Sequence, residues 1–157
     1  MKQKNNYFSY ALYSVFLTAL LFIIFGYNGW GPAAANEQAI GEISRWCERV
    51  SGGFFREPAN TLGNIGFIFT GLYMFYKLSE DATNNKLPMF GSFKIALVYA
   101  SASTFLGPGS MAMHGTHTKF GAWLDNVSMI SYILVLWIYN LKRLTKFSNK
   151  VYFSTYS

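Results

Sequence analysis

The 157-residue sequence has little charge, one cysteine and only two histidines. Charged residues make up 13% of the chain, about half of the roughly 25% that is usual in soluble domains. The single cysteine, Cys47, excludes an internal disulfide framework and a cysteine-rich metal cluster. The two histidines, His114 and His117, are too few for a zinc site built from three histidines of this sequence.

Apolar and aromatic residues are abundant instead. Apolar types account for 52% of the chain and aromatic types for 19%, a composition that excludes a disordered protein. The length suits one domain. The net charge of +6 does not come from a basic stripe, because the basic residues lie in the gaps between long uncharged runs. This distribution favours a membrane over nucleic acid as the partner of the chain.

Four runs with almost no charge have about the length of a membrane-spanning helix, which needs roughly 20 apolar residues. They cover residues 10–27, 58–76, 95–118 and 126–141. The runs leave no room for a separate soluble domain. The sequence therefore predicts an all-α fold, a polytopic transmembrane bundle of about four helices.

The distribution of Lys and Arg predicts the orientation of this bundle, because cytoplasmic loops carry an excess of both residues. Placing the N-terminus inside leaves four basic residues outside and nine inside. The outer residues are Arg45, Arg49, Arg56 and Lys119. The inner residues are Lys2, Lys4, Lys77, Lys86, Lys94, Lys142, Arg143, Lys146 and Lys150. We therefore expect a cytoplasmic N-terminus, with segments 37–57 and 116–122 outside.

The N-terminal segment 1–35 fits two interpretations. Lys2 and Lys4, the apolar core and the alanines at 33–35 resemble a secretory signal peptide with a small-residue cleavage site. The length of the apolar core favours an uncleaved signal-anchor helix. Both interpretations deliver residue 36 to the outer face, so residues 36–157 form the functional domain in either case.

Three polar residues lie where the membrane makes them costly, which makes them functional candidates. Ser110 and His114 are four residues apart and share a helical face, while Asp125 heads the fourth run. A turn between them would place His114 and Asp125 at one depth, and Pro108 would bend the helix beside Ser110. The alternative roles are structural: an interhelical hydrogen bond, a packing serine and a helix cap. His117 is a further candidate ligand, or a residue of the turn.

Two segments of the sequence, one of which contains these three residues, resemble motifs of a known family. Residues 107–114, with Trp123, Leu124 and Asp125, resemble the G-x-G-S-x-x-x-H…L-D signature of the alkaline ceramidases. Residues 46–48 and 57–64 resemble the family's W-C-E…E-F-W-N-T-x-S-N segment. The family belongs to a superfamily of seven-helix membrane hydrolases that includes adiponectin-type receptors and Per1-like proteins. The resemblance covers residues 45–141 and leaves the first helix outside.

The resemblance implies a zinc-dependent hydrolase of the linear amide bond in ceramide-like membrane lipids. His114 resembles the first of three zinc-binding histidines, Ser110 the serine beside the metal, and Asp125 the general base. The family's other two histidines form an H-x-x-x-H pair that this sequence does not contain. The resemblance therefore implies a truncated seven-helix fold and an incomplete zinc site.

A calcium site is also implied by the resemblance. Trp46, Glu48 and Glu57 match its ligands, with the carbonyl of Trp46 and the two carboxylates as oxygen donors. The sequence departs from the family at Arg45, where an acidic residue is usual, and at Val50, where Asn is usual. The alternative is two solvated glutamates in a polar loop.

Three functions remain open from the sequence. The first is a ceramidase-like amide hydrolase, the second a non-catalytic scaffold or receptor-like membrane module, and the third a lipid-remodelling esterase of the same superfamily. The expected location is a membrane, specifically a bacterial inner membrane, because the chain is compact and begins with a basic segment and an apolar helix. The sequence leaves the oligomeric state undetermined.

Overall fold

The computed structural model describes residues 6–156, so that Lys2 and Lys4 lie outside the described residues. Within this range the chain is helical and forms no strand, which confirms the all-α fold class. The helices are α1 (Tyr7–Gly26), α2 (Pro58–Gly63), α3 (Ile65–Asn84), α4 (Phe93–Thr116), α5 (Lys119–Thr145) and α6 (Asn149–Tyr156). A short 3₁₀ helix, Met89–Gly91, connects α3 to α4.

The four long helices correspond to the four apolar runs, with different boundaries. The run 58–76 divides into α2 and α3 at Asn64, and Pro58 begins α2 at a position that suits proline. The helix α4 runs through Pro108 as one element of 24 residues. The helix α5 begins seven residues before the run 126–141, because the side chain of Thr118 caps it by accepting a hydrogen bond from the Gly121 N–H at 3.1 Å.

The helix α4 lies between α3 and α5, and small residues let the three backbones approach closely. A Cβ atom added to Gly71 of α3 would lie 2.6 Å from the Thr104 backbone nitrogen of α4. A Cβ added to Gly121 of α5 would lie 2.8 Å from the carbonyl carbon of Ala112. Both contacts are too short for any side chain. Glycine is therefore required at these crossings, as is common between membrane helices.

Successive long helices run in opposite directions, so the chain has two ends. The Ala34 N–H donates to the His117 carbonyl at 2.8 Å, and the Arg56 N–H donates to the Gly115 carbonyl at 2.9 Å. These bonds gather residues 27–64 and 114–121 at one end, which we call the site end. At the opposite end the Phe8 N–H donates to the Ser79 hydroxyl at 3.0 Å. The loops thus group into the two sets that the orientation analysis expected.

The segment after the fourth run is polar and basic, and most of it is helical. The helix α5 continues to Thr145, and α6 folds back against it. Tyr152 is fully buried and its hydroxyl donates to the Val135 carbonyl at 3.1 Å, while the Tyr156 hydroxyl donates to the Ser131 carbonyl at 3.3 Å. The two tyrosines are four residues apart and share one helical face. The spacing of the two tyrosines indicates a helix, although the overall composition of the segment does not.

Two helices, α1 and α5, are long and apolar enough to cross a membrane. Only 6% of the apolar window of α1 is buried, so this helix is not the core of a soluble domain. Its large side chains, among them Phe16, Ile23 and Phe25, are mostly exposed. An exposed apolar surface of this extent indicates a membrane protein.

Candidate functional site

The turn between α4 and α5 fixes the positions of the polar candidates. Thr116 ends α4, and His117 closes it in the left-handed conformation with φ of 54°. The Thr116 hydroxyl donates to the Ala112 carbonyl at 2.7 Å and lies 2.7 Å from the Thr118 hydroxyl. The turn therefore contains only residues 117 and 118. His114 lies in the last turn of α4, whereas Asp125 lies inside α5 and not at its start.

Asp125 faces α4 from the neighbouring helix. It lies four residues after Gly121 and three before Ser128, and both of these residues touch α4. Gly121 lies opposite Ala112, and Ser128 lies opposite Gly109. Asp125 is therefore level with the middle of this contact, where Ser110 lies, and about one helical turn, roughly 5.4 Å, deeper than His114.

Buried oxygens without partners mark this part of the bundle. The Asp125 Oδ1 atom is buried and has no hydrogen-bond partner among the described residues, and the same holds for the Ser103 hydroxyl. Ser110 is 8% exposed and shares a face of α4 with Ser103 and His114, by its spacing from both. Buried polar atoms in native proteins almost always have partners. These atoms are thus available to a ligand, a water or an ion.

Glu57 connects the loop before α2 to the end of α4. Its side chain is fully buried, and its Oε2 atom lies 2.5 Å from the His114 Nδ1 atom. The Glu57 N–H donates to the His114 carbonyl at 3.0 Å, so backbone and side chain hold the same partner. The resemblance implied separate roles for these two residues, in calcium and in zinc binding. The structure brings them into direct contact.

The environment of Glu57 favours its charged form. Burial alone acts to raise the pKa of this carboxyl. Hydrogen bonds from Ser44, His114 and Asn60, together with the electrostatic interaction with His114, outweigh burial, and the pKa of Glu57 falls below its ordinary value of 4.5. The carboxylate is therefore ionised at neutral pH and presents a buried negative charge beside two imidazoles.

His117 is the second imidazole. Its Nε2 atom lies 3.4 Å from Glu57 Oε1, and its Nδ1 atom lies 3.8 Å from Glu37 Oε2. All four of these atoms are buried, and none has a hydrogen-bond partner among the described residues. The ring of Trp46 covers both imidazoles, with centroids 4.9 Å from His114 and 6.0 Å from His117. Two carboxylates and two imidazoles thus form one cluster of side chains that packs against the indole of Trp46.

The three predicted calcium ligands lie around the Asn60 side chain. The Asn60 amide donates to the Trp46 carbonyl at 3.4 Å and to Glu57 Oε2 at 3.3 Å. The Glu48 carboxylate accepts hydrogen bonds from the backbone N–H groups of Ala59 and Asn60, at 2.7 Å and 2.8 Å, and so caps α2. The structure therefore gathers these residues, with Asn60 at their centre.

Within residues 6–156, no group of three His, Cys, Asp or Glu side chains is disposed to hold a metal ion. The reason is visible at Glu57 and His114, whose atoms are 2.5 Å apart. Two ligand atoms of a tetrahedral zinc ion, each about 2.0 Å from the metal, lie roughly 3.3 Å apart, so these two atoms are too close together to bind one zinc ion. The described residues therefore do not complete a zinc site, and His114 is the single ligand that the resemblance assigned.

Glu37 and Asn60 are site residues that the sequence analysis did not identify. Glu37 lies in a loop segment and binds Arg45 through a contact of 2.8 Å between Arg45 Nη2 and Glu37 Oε1. No local pattern distinguishes it from the other acidic residues of that loop. Asn60 had a signal, because it follows Glu57 by three residues within the family-like segment and lies in the first turn of α2.

Comparison with known proteins identifies the family. The family model described as Ceramidase matches residues 43–156. No curated protein and no solved structure matches the chain. The matched range includes Glu57, His114 and Asp125, and it excludes α1 and Glu37. Because the match covers well over half of the sequence and every motif that the resemblance used, the chain belongs to the ceramidase family.

Proposed function

We propose that the protein hydrolyses the linear amide bond of ceramide-like membrane lipids. The family match supports a hydrolase of ceramide-related lipids in general. Cleavage of the amide bond is the more specific proposal for this chain. The observation that supports it best is the family match over residues 43–156, which contains Ser110, His114 and Asp125. The two exposed apolar helices support a substrate that reaches the site from within the bilayer.

Asp125 is the proposed general base. A carboxylate accepts the proton of an attacking water when it lies within hydrogen-bond reach. The buried and unpartnered Oδ1 atom of Asp125 supports this role, because it retains acceptor capacity. Ser110 of α4 lies level with Asp125 of α5. Its hydroxyl is the proposed hydrogen-bond donor to the carbonyl oxygen that becomes negative as water attacks the amide carbon.

Zinc is the proposed cofactor, with His114 as one ligand. When bound, zinc lowers the pKa of a coordinated water and polarises a carbonyl. A catalytic zinc takes three protein ligands. This part of the proposal therefore requires ligands from outside the described residues, together with separation of His114 from Glu57.

Calcium is a second proposed ion, bound by the Trp46 carbonyl, Glu48 and Glu57. A carboxylate has about four lone-pair positions, so Glu48 can cap α2 and still offer an oxygen to a cation. We expect calcium to raise the thermal unfolding midpoint of the purified protein by a few degrees and a chelator to reverse this. The variant Glu48→Gln should lose the response, whereas the exposed control Glu42→Gln should retain it. An equal response of both variants would contradict the assignment.

The central test is fatty-acid release from an N-acyl sphingoid lipid, in detergent or vesicles, by a full-length version of the protein that supplies the remaining zinc ligands. His114→Ala and Asp125→Ala should each abolish release, by at least a hundredfold, because each removes a group of the reacting centre. Asn126→Ala is the matched control, since Asn126 is exposed and neighbours Asp125. Wild-type turnover in both site variants would refute the catalytic assignment. Faster cleavage of an ester analogue than of the amide would favour the esterase alternative.

Metal analysis of the purified protein separates a ligand from a packing role for His114. We expect His114→Ala to lower the zinc content, with Asn126→Ala as the control. An unchanged zinc content in His114→Ala would remove His114 from the metal site.

A further inference from the structure

The helix α1 touches the rest of the bundle at its two ends and stands away from it between them. Near its start Ala11 is buried against Phe75 and Leu78 of α3. Near its end Phe22 contacts Phe55, with ring centroids 6.5 Å apart. Between these contacts lies a partly enclosed cavity of about 420 Å³, which we call the α1 groove. Its other wall is the face of α4 that carries Ser101 and Pro108.

The α1 groove is distinct from the candidate functional site. Its α4 residues, including Ser101, Thr104 and Pro108, share one face of that helix. Ser110 and His114 lie on another face of α4 and are not among the residues that line it. The helix α1 also lies outside the range that matches the family. One wall of the groove therefore lies outside the family region, and the other wall lies within it.

Most hydroxyl groups in the walls of the groove already have hydrogen-bond partners within their own helices. The hydroxyls of Ser14 and Thr18 on α1 donate to the carbonyls of Tyr10 and Ser14, at 3.0 Å and 2.9 Å. The Thr104 hydroxyl of α4 donates to the Ala100 carbonyl at 2.8 Å. Three of the four hydroxyl side chains that line the groove are thus satisfied within their own helices. The surface left to an occupant is hydrocarbon, which a polar ligand does not match.

The dimensions of the groove select a single chain of methylene groups. From Ala11 to Ile23 the α1 wall is about 18 Å long at 1.5 Å per residue, close to the roughly 15 Å of one leaflet of a bilayer core. Over this length the cavity holds about 420 Å³, far less than the roughly 1,400 Å³ that a helix at least 10 Å across would occupy. Packed carbons lie roughly 4 Å apart, whereas a helix is at least 10 Å across. The cavity therefore has room for an acyl chain and not for a helix.

A cationic side chain lies next in sequence to the site end of the groove. Arg56 follows Phe55, a lining residue, and within residues 6–156 its guanidinium forms no ion pair or hydrogen bond. The indole of Trp30 packs beside Phe54, another lining residue, with ring centroids 5.3 Å apart. Arginine and tryptophan are the residues that meet phosphate and headgroup regions at a membrane surface.

From these observations we infer that the α1 groove binds one acyl chain of a membrane glycerophospholipid, with its phosphate at the site end near Arg56. The bound chain fills the space between α1 and α4 and so attaches α1 to the family region. The bilayer supplies the occupant, and water is a poor substitute in a cavity with these walls.

The test is photolabelling of the full chain in phosphatidylcholine vesicles that contain phosphatidylglycerol with a diazirine in mid-chain. We expect labels on the lining residues of the two helices, among them Val15, Thr18 and Ala19 of α1 and Ser101, Thr104 and Pro108 of α4. Ala19→Phe fills the groove and should reduce this labelling at least fivefold. Leu20→Phe is the matched control, because Leu20 does not line the groove, and it should change labelling by less than twofold. Ser101→Phe fills the groove from the other wall and should repeat the effect if Ala19→Phe folds poorly.

Several results would overturn the inference. Labels spread evenly around α1, including Phe16 and Leu17, would show ordinary contact with the bilayer. Displacement of the probe by an equal amount of ceramide would make the groove a substrate site. Cross-links between Ala19→Cys chains would show that a second copy fills it. His114→Ala should abolish hydrolysis and leave the labelling unchanged, so failure of the proposed reaction and failure of this inference are distinguishable.

Discussion

At the scale of single residues, Glu57 has the most partners at the site end. Its carboxylate lies 2.5 Å from His114 and receives a hydrogen bond from Asn60, and it is fully buried. The backbone of the same residue bonds to the end of α4. One side chain therefore joins the loop, α2 and α4. Its removal takes away the partner of the His114 imidazole and leaves the Asn60 amide with the Trp46 carbonyl as its acceptor.

Substitution of Glu57 by alanine should destabilise the protein by roughly 1 to 3 kcal/mol, the usual result of leaving a buried hydrogen-bonding group without its partner. Thermal unfolding in detergent, followed by circular dichroism, measures the effect. Glu80→Ala is the control, because Glu80 pairs with Lys77 at 2.8 Å on the surface and such pairs contribute little. Equal shifts in both variants would show that Glu57 is not the link described above.

The lowered pKa of Glu57 predicts a loss of stability in acid. A carboxyl whose pKa is lower in the folded state than in the unfolded state binds fewer protons when folded. Its contribution is fully present above the ordinary value of 4.5 and is lost as the pH falls below that value through the lowered folded pKa. Thermal unfolding between pH 7 and pH 3 should show this loss in the wild type and a smaller one in Glu57→Gln. Parallel pH profiles of the two proteins would contradict it.

At the scale of helices, the bundle depends on close approach rather than on large interlocking side chains. Gly71, Gly109 and Gly121 each lie where a neighbouring helix leaves no space for a Cβ atom. Gly109 faces Ser128 of α5, and its Cβ would lie 3.2 Å from the Leu124 carbonyl oxygen. The position of Asp125 relative to Ser110 follows from these crossings, since a wider α4–α5 distance would separate them.

Gly71→Ala should destabilise the protein by roughly 1 to 3 kcal/mol, because a new methyl group must push α3 away from α4. Gly66→Ala is a matched control on the same helix, since a Cβ there meets nothing within 4 Å. The control should be neutral or slightly stabilising, because alanine favours helix over glycine. Thermal unfolding of the two variants measures the difference. A higher unfolding midpoint for Gly71→Ala than for Gly66→Ala would contradict the close approach of α3 and α4 at Gly71.

At the scale of the whole molecule, the helix directions place the loops at two ends with unequal charge. The site end carries Cys47, the only cysteine of the sequence, and its side chain is exposed. The opposite end carries Leu87, which is also exposed. The excess of Lys and Arg at the opposite end predicts that it faces the cytoplasm. The exposed thiol of Cys47 therefore allows the orientation of the protein in the membrane to be measured by chemical labelling.

A membrane-impermeant maleimide added to intact cells should label Cys47 of the wild-type protein. The double variant Cys47→Ser, Leu87→Cys moves the single thiol to the opposite end, and it should be labelled only after the membrane is permeabilised. The reverse pattern would place the N-terminus outside and would contradict the prediction from basic residues.

The sequence by itself determined the fold class and the number of long helices, because four uncharged runs cannot be accommodated except as helices that bury or shield their backbone groups. It also indicated the family, because the segments that contain Ser110, His114 and Asp125 resemble a motif of the ceramidases. The boundaries were less well determined. The cap at Thr118 and the aromatic face of α6 are short local signals that the surrounding polar residues obscured.

Only the tertiary structure decided which of the polar groups meet. Glu57 and His114 are 57 residues apart and belong to different implied ion sites, yet their side chains are in contact. Glu37 reaches His117 through a loop with no periodic pattern, and the α1 groove arises where α1 stands away from α4. Spacing along a chain fixes neighbours within one helix. Contacts between elements depend on how close their backbones approach, which small residues allow but local sequence does not specify.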